Sequence, residues 1–184
     1  MGIDAVTRAV FLDRDGVLNR AIIRDGLPFA PTSIAELEIL PGVPDALPRL
    51  RAAGFLLIVV TNQPDVARGT ASRDAIDAIH ARMRQTLPLD DIRVCFHDDA
   101  DHCACRKPLP GLLLDAAAGW DIDLKRSYMI GDRWRDIAAG QAAGCTTVLV
   151  DGGHDEASTV EPDTRKHALA DAAAWIISRA DEDL

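Results

Sequence analysis

Short, mainly apolar runs alternate along this chain with longer segments in which apolar residues recur every three to four positions. The runs fall at residues 9–12, 56–60, 92–96, 128–130 and 146–150. Continuous runs this short suit strands buried on both faces, as in a parallel sheet, rather than half-exposed strands of alternating polarity. Between them, Ile76, Ile79, Met83 and Leu87 follow helical spacing, with Ser72 placed to cap the helix and Asp74 in its first turn. A second stripe, Leu112, Leu113 and Ala116, follows Pro110; a third, over 137–143, is stopped by Gly144. An alanine-rich helix is expected at about 165–180. Residues 43–53 also read as a helix, with Pro48 expected to kink it or delay its start, because proline has no N–H to donate. The alternation predicts an α/β, doubly wound parallel sheet, taken as one domain over residues 1–184. In such sheets ligands gather beyond the carboxyl ends of the strands, so the residues that follow each run are where chemistry is expected.

Composition narrows the classes. Apolar residues make up 48% and charged residues 27%, ordinary for a globular chain, while aromatics at 4% leave the core to aliphatic side chains. A net charge of −9 argues against nucleic-acid binding, which needs basic surface. An anionic substrate would have to be drawn in by local Arg and Lys or by a metal. The longest strongly apolar run, residues 55–60, is far too short for a membrane span. No basic region followed by an apolar stretch opens the chain, and Val6 stands where a myristoylation signal at Met1-Gly2 needs Ser or Thr. A cytoplasmic monomer acting on a small metabolite is the expectation. Four cysteines are present, and Cys95, Cys103 and Cys105 fall within eleven residues, which in a reducing compartment points to metal rather than disulfide.

The strand ends carry the chemistry. Asp13 and Asp15 follow the first run, Thr61-Asn62-Gln63 the second, Arg106-Lys107-Pro108 comes about ten residues after the third, and Gly131-Asp132 follows the fourth, with Asp136 one helical turn on. Several acids beside one lysine suit a hard cation such as Mg²⁺ and a phosphate oxygen. One carboxylate can attack phosphorus to form an aspartyl-phosphate, and a second can protonate the departing oxygen and later deprotonate water. Lys107 and the Thr61 hydroxyl would stabilise charge on the transferring phosphoryl group. Each signal alone has a bland reading: Asp-x-Asp-Gly as a turn, Thr61-Asn62 as a strand end, Asp136 as a first-turn acid. Four in order at strand ends are not explained that way.

Taken together, Asp13-Arg14-Asp15-Gly16-Val17, Thr61, Lys107 and Gly131-Asp132 with Asp136 resemble the motifs of the haloacid dehalogenase (HAD) superfamily of phosphatases over nearly the whole chain. The resemblance implies Asp13 as nucleophile and Asp15 as acid/base. It also implies Mg²⁺ held by Asp13, the backbone carbonyl of Asp15, and Asp132. Residues 20–40 and 64–72 are too short for a separate cap domain, so an open site is expected, with Asn19, Asn62, Gln63, Arg68, Arg106 and Arg133 as substrate contacts and Arg135 as a further candidate. Trp134 is expected either to pack against the domain or to line the mouth.

Cys95-x-His97, five residues, then Cys103-x-Cys105 supplies three thiolates and an imidazole, a closed tetrahedral set that suits structural Zn²⁺ and leaves no place for water. His102 is a rival ligand, and Cys145 reads as a small core residue. The run ends in Arg106-Lys107-Pro108, so a metal clip over about 95–107 would preorganise a catalytic cation. Zinc-loop HAD phosphatases acting on heptose 1,7-bisphosphate and on histidinol phosphate carry a similar pattern. Thr61 to Gly69 and Leu40-Pro41-Gly42-Val43 resemble the heptose branch, apart from Pro64-Asp65; the short zinc loop resembles the histidinol-phosphate branch. The heptose side is preferred on Asn19 and the loop through Arg68, and another small sugar phosphate stays open. Two readings from other classes are a phospho-acceptor signalling domain, against which Asp15 argues because it would promote hydrolysis, and a zinc-stabilised binding module with a decayed site.

Overall fold

The computed structural model describes residues 7–151 and 159–182; Met1 and Gly2 lie outside them. In chain order the elements are β1 (Arg8–Leu12), a hairpin of β2 (Ile22–Arg24) and β3 (Leu27–Phe29), α1 (Val43–Ala52), β4 (Phe55–Asn62) and α2 (Arg73–Thr86). There follow β5 (Asp91–Cys95), α3 (Gly111–Trp120), β6 (Tyr128–Gly131), α4 (Trp134–Ala143), β7 (Thr146–Val150), β8 (Thr164–Lys166) and α5 (Leu169–Glu182). Six strands form a parallel sheet in the order β5-β4-β1-β6-β7-β8. The doubly wound sheet expected from the apolar runs is what forms. The chain winds outward from β1 through β4 to β5, then crosses back to β6 and winds the other way. The crevice beyond β1 and β6 is therefore the topological switch point.

Alternation along β1 divides the core. Val10 and Leu12 face a layer built with Val43, Leu47 and Leu50 of α1, Ile76, Ile79 and Met83 of α2, and Ala172, Ala173 and Ile176 of α5. Ala9 and Phe11 face the opposite layer, with Leu112, Leu113 and Ala116 of α3, Ala139 of α4 and Cys145. Cys145 is thus the core residue it was taken for. Ser72 caps α2, its hydroxyl accepting from Ala75 N at 3.1 Å.

Three features depart from the sequence reading. Pro48 lies inside α1, which starts at Val43 and runs through it; the bond lost at the Pro44 carbonyl is outweighed by the buried face Val43, Ala46, Leu47 and Leu50. The β2–β3 hairpin turns at Asp25-Gly26, both with positive φ (51° and 77°), the two-residue turn whose twist matches antiparallel strands. The edge strand β8 is polar and only three residues long. Among the described residues the β1–α1 and β4–α2 connections hold only this hairpin and short turns, so no cap domain covers the sheet. No helix there is long and apolar enough to cross a membrane.

Candidate active site

The carboxyl ends of β1, β4 and β6 deliver the site. Asp13 continues the β1–β6 ladder, its N–H donating to Ile130 O at 2.9 Å, which fixes its backbone at the switch point. Lys107 reaches the same point from the loop after β5. Its buried ammonium donates to Asp13 Oδ1 at 2.7 Å, Val60 O at 2.8 Å and Asp136 Oδ1 at 2.5 Å, so all three donors are answered. Burial opposes that charge, but Asp13 and Asp136 outweigh it and Lys107 is held protonated. Asp136 also accepts from Arg133 N at 3.1 Å, so one carboxylate both closes the first turn of α4 and anchors the lysine.

Asp13, Asp132 and Asp136 present carboxylate oxygens within 4.8 Å of one another. Burial raises the pKa of Asp13 to about 7, with Lys107 opposing and Asp136 and Asp15 adding to the rise. Asp132 is pushed well up by burial and then by the charges of Asp13 and Asp136. Its Oδ1 is buried with no hydrogen-bond partner. A crowded carboxylate set holding an orphaned oxygen fits a divalent cation, which would relieve the repulsion and complete that oxygen. Gly16 (φ +94°) makes the approach possible: a Cβ there would lie 2.1 Å from Asp132 Oδ2.

Asp15 is the other kind of acid. Burial alone would raise its pKa, but the Arg14 guanidinium and the amides of Asn19 and Gln63 outweigh burial and hold it below the usual value. Arg14 Nε lies 3.1 and 3.2 Å from the two oxygens, Asn19 Nδ2 donates to Oδ1 at 2.9 Å and Gln63 Nε2 to Oδ2 at 2.8 Å. Asn19 and Gln63 therefore do not take the places expected of substrate contacts. Both are almost wholly buried, neither lines the cavity, and each amide donates to Asp15 and to one further protein oxygen, Arg20 O for Asn19 and Thr61 Oγ1 for Gln63. Thr61 is also buried, its Oγ1 accepting from Gln63 Nε2 at 2.9 Å. Asn62 lines the cavity and clamps Lys107 by its backbone, donating to Lys107 O at 3.0 Å and accepting from Lys107 N at 3.1 Å.

Above these groups opens a cavity of about 370 Å³. Asp13, Asp15, Lys107, Asp132 and Asp136 form its floor; Arg68, Arg106, Arg133 and Arg135 stand around it, with Pro28, Phe29 and Ala30 of the hairpin region opposite. Six acids and five bases share this lining, so the cavity is far less acidic than the chain's −9, and a bound divalent cation would add positive charge there. Arg68 is gripped by Asp98 through two bonds of 2.8 Å, and Arg106 Nε by Asp99 at 2.8 Å, so the acidic loop orients two of the arginines. Trp134 is absent from the lining; the Arg135 guanidinium lies 5.4 Å from its ring centroid.

That same loop carries the cysteine cluster. Cys95 Sγ lies 3.6 Å from His97 Nδ1 and 3.6 Å from Cys103 Sγ; Cys105 Sγ lies 3.1 Å from Cys95, 3.5 Å from Cys103 and 3.3 Å from His97 Nδ1. A tetrahedral zinc with Zn–S bonds near 2.3 Å has edges of about 3.8 Å, so the set needs only slight expansion to hold one. His102 is outside the set, exposed in a left-handed turn. Gly111 pins the loop to α3, since a Cβ there would meet Ala104 O at 2.3 Å.

The sequence reading passed over two residues here: Arg14, the central residue of the Asp-x-Asp motif, and His80 on α2. Arg14 is wholly buried, and its Nη1 lies 2.9 Å from His80 Nε2. Because a guanidinium only donates, Nε2 is the acceptor and the ring proton sits on Nδ1. Burial, then the Arg14 charge, lowers the His80 pKa to about 4 and keeps the ring neutral. The signal was a histidine set inside the apolar stripe Ile76–Ile79–Met83.

Comparison with known proteins agrees with this geometry. The family model described as HAD-hydrolase-like matches residues 104–175. A D-glycero-beta-D-manno-heptose-1,7-bisphosphate 7-phosphatase of Rhodopseudomonas palustris is 40% identical over 148 residues, 74% of this chain and 79% of that protein. The Escherichia coli K12 protein of the same name is 35% identical over 183 residues, 92% and 88% of the two chains. The crystal structure of a D,D-heptose 1,7-bisphosphate phosphatase from Bordetella bronchiseptica, complexed with magnesium and phosphate, superposes with a TM-score of 0.79 at 33% identity, covering 95% of this chain and 99% of that one.

Proposed function

The chain belongs to the HAD-like hydrolases, and from that premise we propose that it is a Mg²⁺-dependent phosphatase releasing the 7-phosphate of D-glycero-D-manno-heptose 1,7-bisphosphate through an aspartyl-phosphate on Asp13. The carrying observation is that one cavity at the switch point collects Asp13, Asp15, Lys107, Asp132 and Asp136. The substrate is argued from the names of the relatives and from the four arginines about the cavity, which suit a second anionic group.

Asp13, Asp132 and the backbone carbonyl of Asp15 would hold Mg²⁺, which when bound neutralises the carboxylates and draws charge from the phosphoryl oxygens. Lys107 keeps Asp13 Oδ1 fixed and its charge balanced, so the free oxygen is aimed at phosphorus. An Asp13 oxygen bonds to phosphorus as the ester P–O bond breaks; the electrons of that bond go to the leaving oxygen, which takes a proton from Asp15. Asp15 then removes a proton from water as the water attacks the aspartyl-phosphate, releasing phosphate and restoring Asp13. Since its neighbours hold Asp15 ionised, its proton must arrive with substrate binding. Zn²⁺ on Cys95, His97, Cys103 and Cys105 would fix the loop that presents Arg106 and Lys107.

A phosphate-release screen of heptose 1,7-bisphosphate anomers, histidinol phosphate and common sugar phosphates tests the reading. The heptose bisphosphate should give the highest kcat/KM; a higher value on histidinol phosphate would reject the substrate assignment.

A further inference from the structure

Behind Asp15 lies a shell of groups that the reaction does not touch. Strand parity takes Val10, Leu12 and then Arg14 to the face covered by α2, while Asp13 is turned toward the switch point. The Arg14 side chain is wholly buried there. Its Nε contacts both Asp15 oxygens, and its Nη2 approaches Oδ1 at 3.0 Å as a charge contact without the alignment of a hydrogen bond. Its Nη1 is answered at 2.9 Å by His80, 66 residues away in the chain. The choice of partner matters. A carboxylate at position 80 would compete with Asp15 for the guanidinium, whereas a neutral imidazole nitrogen accepts the hydrogen bond and leaves the positive charge to Asp15. The shell also departs from what stability favours. Arg14 Nη2, Asn19 Oδ1 and Gln63 Oε1 are buried polar atoms without a hydrogen-bond partner, all grouped around this one carboxylate. Such local sacrifices concentrate where geometry serves function.

We propose that Arg14 and His80 are positioning residues for Asp15: the imidazole fixes the guanidinium, and the guanidinium fixes the carboxylate in the orientation from which its proton reaches the leaving oxygen. The inference rests on the proposed role of Asp15 as the acid and extends it to a helix residue outside the cavity.

The test compares kcat/KM, which reports phosphoryl transfer to Asp13, for p-nitrophenyl phosphate and for the best alkyl phosphate of the screen. The aryl leaving group departs without a proton; the alkoxide needs one. Asp15→Asn should lower the alkyl value by about 10³-fold and the aryl value by less than about tenfold, since a positioned acid contributes roughly 10²–10⁴. His80→Met and Arg14→Lys should each lower the alkyl value by about 10- to 100-fold, with the aryl value within about twofold. His80→Gln, whose side-chain oxygen can replace Nε2, should stay within about threefold of wild type on both. The ratio of the two substrates is measured in one preparation, so any unfolded fraction cancels. If Asp15→Asn lowers both substrates equally, the role given to Asp15 fails and this inference with it. If Asp15→Asn separates the substrates while His80→Met and Arg14→Lys do not, only the positioning inference is overturned.

Discussion

Gly16→Ala isolates the contact that lets Asp132 approach the nucleophile loop. The substitution acts twice. It forces an L-residue to φ +94°, which costs roughly 1–2 kcal/mol. For a chain of this length that lowers Tm by about 2–8 °C. It also places a methyl 2.1 Å from Asp132 Oδ2 and 2.6 Å from its Cγ, where contacts below 3.0 Å are essentially never seen. The carboxylate must therefore retreat by about 1 Å, a displacement that costs on the order of 10²-fold in rate when it misplaces a reacting or metal-binding group. Gly144→Ala is the matched control: its φ is +89°, and a Cβ there meets nothing within 4 Å. In scanning calorimetry Gly144→Ala should lose the share of thermal stability due to φ alone, and Gly16→Ala at least that much. In a phosphate-release assay titrated with Mg²⁺, only Gly16→Ala should need a much higher Mg²⁺ concentration and lose about 10²-fold in kcat/KM. Wild-type Mg²⁺ dependence in Gly16→Ala, or the same loss in Gly144→Ala, would refute the reasoning.

Two further outcomes are expected. The raised pKa of Asp13, about 7 against 3.8, means that at this group the Mg²⁺-free folded protein binds more protons than the unfolded chain between those values. The contribution of Asp13 to stability is therefore lost as pH rises from 4 to 7, while His80, lowered to about 4 from 6.5, contributes stability in the opposite direction over much of that range. The Tm gain on adding Mg²⁺, which reads the carboxylates alone, should be larger at pH 7.5 than at pH 5, and equal gains would contradict the shared carboxylate site. Cys103→Ser should lose zinc by elemental analysis and lower kcat through the loop that carries Lys107, and unchanged metal content would reject the zinc cluster.

Much of this was legible because the central strands are short and mainly apolar between their ends. Burial on both faces leaves such runs no polar alternation, and the residues that end them had to be the polar ones of the site. The hairpin was less visible: β2 and β3 have three residues each and expose Ile23 and Leu27, although Asp25-Gly26 between them was a usable turn signal. Polar β8 gave no apolar run at all. Residue types at the site were clear, but directions were not. Whether an amide such as Asn19 or Gln63 turns to substrate or to Asp15 depends on neighbours distant in sequence, as Gln63 to Asp15 shows across 48 positions. The same holds for Asp136, whose place in the first turn of α4 was foreseeable while its bond to Lys107, 29 residues away, was not.

The central claim is that Asp13 carries the phosphoryl group. Rapid-quench experiments with heptose 1,7-bisphosphate labelled in the 7-phosphate should trap label on the protein within one turnover, labile to hydroxylamine as an acyl phosphate is, located on the peptide containing residue 13 and absent from Asp13→Asn. Turnover by the wild-type protein with no label trapped, or label on any other residue, would contradict the account.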